Sequence, residues 1–243
     1  MLGIYALKIP ENLHSEEYEF LTKLLQNNSK FRIKRMLNTK DQYLSLFGEL
    51  LSKLILCEYY NCRIQEINFE INKYGKPYIN NDLFFNISHS ENFLIFGYSK
   101  KMIGIDIEQI NSEEDLSEYN IFNQKEQQYL TSSIDYYLQW TLKESWLKCI
   151  GVGLLINPKE FSILNINGRY TLEIDDSVNI EKDLSLEIFP YEYQFSTLKI
   201  DNFIISICIK DSTSRKIDLT KSIIEIEVDD LLKRIKNSLL KYD

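Results

Sequence analysis

The sequence predicts an α+β fold built from two α+β halves that meet near residue 100. Three observations carry the prediction. Segments with two-residue alternation and segments of helical period follow one another as strand–helix–strands, then strand–helix–strands again. The 243 residues suffice for one large domain or two small ones with a sizeable core. Apolar residues make up 44% and charged residues 26%, a globular rather than a disordered balance. The halves are set at 1–100 and 101–243. No change of composition separates them, so they are expected to pack tightly.

Each element follows from its residues. Residues 2–9 are short and apolar and read as a strand, and 16–25 read as a helix. Residues 41–60 place Leu44, Phe47, Leu51, Leu54 and Ile55 at helical spacing, with Asp41 as the cap. Residues 64–71 alternate as a strand, and 73–78, Lys-Tyr-Gly-Lys-Pro-Tyr, form a turn. Residues 84–87 and 93–98 read as strands joined by a polar loop, 88–92, and 102–107 as a further strand. Asn123 with Glu126 three residues later is a capping box. A helix over 135–150 is ended by Gly151. Strands over 161–166, 170–174, 184–188, 193–198 and 203–209 follow, and an amphipathic helix over 229–240 closes the chain.

Composition narrows the function. Twenty-eight basic residues against 36 acidic ones give a net charge of −8, which does not favour a nucleic-acid partner. No apolar run is long enough to cross a membrane. Residues 1–10 lack a basic start and a cleavage site, so a cytoplasmic protein is expected. Cys57, Cys62, Cys149 and Cys208 form no CxxC pair and read as free buried thiols. With His14 and His89 far apart, a Cys/His zinc site is disfavoured. A catalytic metal would therefore rest on carboxylates, which suit magnesium or manganese.

Four segments carry candidate chemistry. In Gly104-Ile105-Asp106-Ile107-Glu108, strand alternation puts Asp106 and Glu108 on one face, about 7 Å apart. They repel unless a cation sits between them, and a solvated edge strand is the plain alternative. In Trp140-Thr141-Leu142-Lys143-Glu144-Ser145-Trp146-Leu147-Lys148, Glu144 and Lys148 share a helix face. They are either a surface ion pair or a third carboxylate and a lysine converging on the first two. Asn86-Ile87-Ser88-His89-Ser90 offers hydroxyls and an imidazole to a phosphate, or is a capped turn. Residues 30–40 hold Lys30, Arg32, Lys34, Arg35 and Lys40 and no acid, a local reversal of sign that could receive a phosphate ligand.

Taken together, Tyr74-Gly75-Lys76-Pro77, Asn86 to Ser90, Gly104 to Glu108 and Trp140-x-x-Lys143-Glu144-Ser145-x-x-Lys148 closely resemble the 4′-phosphopantetheinyl transferase superfamily, in its long, two-lobed type. The resemblance spans nearly the whole chain. It implies two similar lobes with pseudo-two-fold symmetry and a site in the cleft between them. It implies transfer of the phosphopantetheine arm of coenzyme A to a serine of an apo carrier protein (peptidyl, acyl or polyketide), releasing adenosine 3′,5′-bisphosphate. By motif match, Asp106, Glu108 and Glu144 would hold Mg²⁺, or Mn²⁺. Lys148 would stand near the phosphates. Ser88 and His89 would meet the 3′-phosphoadenosine end, and Tyr74, Gly75, Lys76 and Pro77 would lie against the nucleotide. Arg32 aligns with a lysine of the family's basic stretch.

The base that deprotonates the serine would be Glu144, directly or through a water, or a metal-bound water. Leu44 stands where the family carries an arginine for the 3′-phosphate. The acidic run Glu113, Glu114, Asp115 and Glu118 would not face an acidic carrier directly. A complete site within one chain implies a monomer. Two rival readings remain open: a catalytically weak homologue that binds nucleotide or protein partners, and another Mg²⁺-dependent phosphotransferase.

Overall fold

The structure, a computed structural model, describes residues 1–80, 82–113, 120–175, 188–213 and 217–240. The fold is α+β. In the first half, β1 (Leu2–Lys8) is followed by α1 (Ser15–Lys23), α2 (Asn27–Lys34) and the long α3 (Thr39–Tyr60). The short hairpin of β2 (Glu70–Ile71) and β3 (Pro77–Tyr78) leads to β4 (Phe84–Ser90) and β5 (Phe93–Ser99). The second half holds β6 (Ile103–Gln109), α4 (Gln124–Gln127), α5 (Ser133–Ile150), β7 (Phe161–Ile166), β8 (Arg169–Ile174), β9 (Tyr193–Ile200) and β10 (Phe203–Lys210). Finally come β11 (Ile223–Ile226) and α6 (Val228–Leu240).

One sheet runs β11-β1-β5-β4 and a second runs β6-β10-β9. Alternation along the strands distributes their side chains between cores. Leu94 and Phe96 of β5 face α3, where they join Leu44, Phe47, Leu51 and Leu54. Ile95 between them faces the other way and packs with Ile4 against Ile105, Ile107, Ile205 and Ile207 of the second sheet. The two sheets thus share a dry apolar layer, the tight packing expected of the halves. Helix α5 covers the far side of the second sheet through Leu142, Trp146 and Cys149, which meet Cys208 and Tyr193.

Four local readings differ from expectation. Residues 64–71 are mostly not strand: Ile64–Glu66 is a turn of 3₁₀ helix. Ile64 and Ile67 are both buried three residues apart, a helical spacing, and the Ile67 carbonyl accepts from the Lys53 ammonium at 2.5 Å rather than from a strand partner. Helix α3 begins earlier, capped by Asn38, whose side chain accepts from the Lys40 N–H at 2.8 Å, not by Asp41. The basic stretch begins within helix α2, which buries Ile33 alone and so carries no apolar period. Strand β4 extends through Ser88, His89 and Ser90, leaving only Glu91 and Asn92 as the turn.

The C-terminal segment crosses between the halves. Strand β11 pairs parallel to β1, and Leu231, Leu232 and Ile235 of α6 pack into the core under the first sheet. The strand expected over 184–188 lies outside the described residues, apart from Ile188, which is buried in the second core. The acidic run past Glu113 lies outside them as well. Among the described residues, no helix is long and apolar enough to cross a membrane. Of the four cysteines expected to be buried, all are except Cys62, which is half-buried.

Candidate active site

The edges of the two sheets meet along β4 and β6. Alternate residues of β4, Asn86, Ser88 and Ser90, point at β6 because a strand sends every second side chain to one face. The Asn86 side chain accepts from the Ile105 N–H at 2.8 Å, and Ser90 Oγ accepts from the Gln109 N–H at 2.9 Å. Backbone donors of an edge strand are thereby satisfied by side chains of the other half. Between these two bonds, Ser88 Oγ donates to Asp106 Oδ1 at 2.8 Å, and Ser90 Oγ donates to Glu108 Oε2 at 2.9 Å.

Helix α5 brings the remaining groups. It can lie close on β6 because Gly104 has no side chain; a Cβ there would stand 2.0 Å from the Ser145 carbonyl oxygen and 2.2 Å from the Cys149 nitrogen. From this helix Lys148 Nζ donates to Asp106 Oδ1 at 2.5 Å and to Ser88 Oγ at 2.9 Å, and it lies 3.8 Å from Glu144. Burial opposes the Lys148 charge, but Asp106 and then Glu144 outweigh it and hold the pKa above its ordinary value. Burial first, then the negative charge of Asp106, pushes Glu108 up to about 7. Burial also raises Glu144, with Lys148 pulling it down and Asp106 pushing it up.

Asp106 is almost fully buried, and its second oxygen, Oδ2, has no hydrogen-bond partner among the described residues. A buried carboxylate oxygen without a donor is costly. Glu108 beside it is raised first by burial and then by the Asp106 charge, and an all-oxygen donor set of this kind fits a hard divalent cation. Among the described residues, no group of three Asp, Glu, His or Cys side chains is placed to hold a metal ion. The Lys148 ammonium stands at Asp106 instead, within reach of Glu144.

A cavity of about 970 Å³ opens in the first half. Of the residues singled out in the sequence, Arg32, Leu44, Gly75, Pro77 and His89 line it. His89 is on the opposite face of β4 from Ser88. Partial burial, then the Lys148 charge, lowers its pKa, while Asp41 and Asp106 raise it. Leu44 is buried and puts an apolar wall there. Tyr74 and Lys76 turn away from the cavity. Tyr74 packs against the core of the second half, and the Lys76 ammonium donates to backbone carbonyls there. The sequence places Asn86 and Ser90 in a candidate segment but assigns them no contact with β6; their i, i+2, i+4 spacing with Ser88 is the signal, masked by reading residues 88–92 as a loop.

Comparison with known proteins decides the family. Residues 12–101 match the family model described as 4′-phosphopantetheinyl transferase, N-terminal, and residues 102–208 match the 4′-phosphopantetheinyl transferase superfamily. The chain belongs to the 4′-phosphopantetheinyl transferase superfamily. Among similar proteins, the 4′-phosphopantetheinyl transferase gsp of Aneurinibacillus migulanus is 32% identical over 67% of this chain and 71% of its own length. The 4′-phosphopantetheinyl transferase Sfp of Bacillus subtilis is 29% identical over 72% of this chain and 83% of its own. An L-aminoadipate-semialdehyde dehydrogenase-phosphopantetheinyl transferase of Saccharomyces cerevisiae is 24% identical over 90% of this chain and 85% of its own. The two phosphopantetheinyl transferase models meet between residues 101 and 102, in the turn joining β5 to β6. The enzyme class is that of the family: a 4′-phosphopantetheinyl transferase, which modifies carrier proteins.

Proposed function

We propose that this transferase takes the phosphopantetheine arm from coenzyme A, with Mg²⁺ or Mn²⁺ held by Asp106, Glu108 and Glu144, and releases adenosine 3′,5′-bisphosphate. The observation that carries the reading is the buried Asp106 at the junction of the halves, its Oδ1 held by Ser88 and Lys148 and its Oδ2 unpartnered among the described residues. When bound, the cation would neutralise the diphosphate of coenzyme A. The nucleotide end would occupy the cavity lined by Arg32, Gly75, Pro77 and His89, passing the edge strand β4 to reach Ser88 and Lys148.

In the transfer, the serine hydroxyl oxygen of the carrier forms a bond to the pantetheine-side phosphorus. The bond from that phosphorus to the bridging oxygen breaks, and the electron pair leaves with adenosine 3′,5′-bisphosphate. Glu144, at the junction beside Lys148, would accept the serine proton directly or through a water. Lys148 would donate to a phosphate oxygen as charge develops there. The protein's main contribution is to hold these groups in place. Asp106, Glu144 and Lys148 lie in one chain, which supports a monomer. Coenzyme A and carrier proteins as reactants support a cytoplasmic setting.

The test is incubation with coenzyme A, Mg²⁺ and a panel of apo carrier proteins, read by intact mass. Gain of one phosphopantetheine on the carrier supports the reading. Hydrolysis of coenzyme A without a modified carrier points to the rival phosphotransferase, and binding without turnover to an inactive homologue.

A further inference from the structure

The Lys76 ammonium is fully engaged by the backbone of the other half. An ammonium has three N–H groups, and three carbonyl oxygens surround this one: Lys148 at 2.5 Å, Ile103 at 3.1 Å and Cys149 at 3.3 Å. Lys76 itself stands on the turn between β2 and β3. The carbonyls belong to the last turn of α5 and the first residue of β6. These two elements carry Glu144 and Lys148 on one side and Asp106 and Glu108 on the other.

The local chemistry explains the contact. The last carbonyls of a helix have no donor within it and lie at the negative end of its dipole, so a cation is the favoured cap. Helix α5 stops at Gly151, whose φ of 78° turns the chain away. Asn72 holds the turn to this end. Its Oδ1 accepts from the N–H groups of Tyr74 at 2.9 Å and Lys76 at 2.8 Å, and its Nδ2 donates to the Gly151 carbonyl at 2.9 Å. A Cβ at Gly151 would come within 2.9 Å of Lys76 Cδ, so the lysine stem lies flat on the helix end. Gly75 and Pro77 on either side line the cavity, while the Lys76 side chain leaves it.

We propose that Lys76 is a positioning residue: by tying the end of α5 to the start of β6, it sets Lys148 against Asp106, and it does not itself grip a ligand phosphate. Lys148 carries both a capped carbonyl and the ammonium of the site, so a shift of the helix end moves that ammonium directly. This inference rests on the transferase reading above.

The test compares Lys76→Met and Asn72→Ala with the parent protein. Carrier modification at varied coenzyme A gives kcat and KM, calorimetry gives coenzyme A affinity, and hydrogen exchange reports on residues 147–152. For Lys76→Met, kcat should fall about tenfold or more while coenzyme A affinity stays within about twofold, since orientation rather than binding is lost. Exchange over 147–152 should quicken. Asn72→Ala should move each readout the same way, by less, and it carries the same decision if Lys76→Met does not fold. Two results would overturn the proposal: affinity weakened about tenfold with kcat retained, the mark of a ligand-gripping cation, or no change in any readout. If the parent modifies no carrier, the transferase reading fails instead, and the exchange measurement still decides whether Lys76 and Asn72 hold the helix end.

Discussion

Ser88 donates to Asp106 Oδ1 at 2.8 Å, so a side chain of the first half orients a buried carboxylate of the second. The same oxygen receives Lys148 at 2.5 Å. Removing the carboxylate by Asp106→Ala leaves Lys148 with the more distant Glu144. Carrier modification should fall more than tenfold in kcat/KM, a loss above about 1.4 kcal/mol. A variant that kept a larger share of the parent's rate would show that Asp106 is not part of the machinery.

Gly104→Ala should be among the most damaging small substitutions in the chain. The added Cβ would meet backbone, not a yielding side chain, at 2.0 Å and 2.2 Å. Helix α5 must then move off β6, opening the core between them. The expected loss exceeds about 4 kcal/mol, or the protein fails to accumulate. Urea unfolding with a midpoint close to the parent's would contradict the close approach.

Lys143, inside the lysine–glutamate motif of α5, is a structural cation. Its side chain and that of Glu126 are both wholly buried, 2.8 Å apart, and its ammonium also donates to the carbonyls of Pro158 and Phe161. Burial lowers its pKa to about 8, against the pull of Glu126. Lys143→Met strands a buried carboxylate and should cost about 3–5 kcal/mol. Adding Glu126→Gln should recover part of that. Equal melting temperatures for Lys143→Met and the parent would rule the pair out as a structural element.

His89 gives the folded protein a pH dependence. Its folded pKa is lowered, chiefly by partial burial and then by Lys148, with Lys40 acting the same way and Asp41 and Asp106 opposing. The unfolded chain therefore binds the proton more readily. Stability contributed by His89 is present above the unfolded value of about 6.5 and is lost as pH falls through the folded pKa. Between about pH 7 and 5, the melting temperature of His89→Gln should fall less than that of the parent. A steeper fall in the variant would reverse the sign.

Leu44→Arg tests the apolar cavity wall. Leu44 is buried against the first core, so an arginine there must lose packing, and the melting temperature should drop. Its guanidinium can reach the cavity along the path that Leu44 lines. Calorimetry should then show tighter coenzyme A and unchanged dephospho-coenzyme A. An equal gain for both would mean that the 3′-phosphate is not what the new cation meets.

The sequence by itself determined the elements whose stabilising contacts are local or strongly periodic. Helix α5 was legible because its helical residues and the Gly151 that ends it are close in sequence, although it starts two residues before the expected 135, capped by Ser132. The Asn123–Glu126 capping box closes over four residues and formed as read. Asp106, Glu108, Glu144 and Lys148 stood out because their motifs set their spacing along one strand and one helix.

Tertiary structure alone decided the rest. Strand β11 is four residues with two exposed side chains, and only β1, some two hundred residues earlier, gives its backbone partners. Ser88, His89 and Ser90 are polar enough to read as a loop, yet they extend β4 because the edge of β6 supplies partners for the two serines. Lys76 looked like a ligand-binding cation from its motif. Its ammonium instead found the open carbonyls of a helix end that folding brings within hydrogen-bond reach. Where a polar group has a choice of partners, the nearest unsatisfied group in space decides, and sequence order does not record that distance.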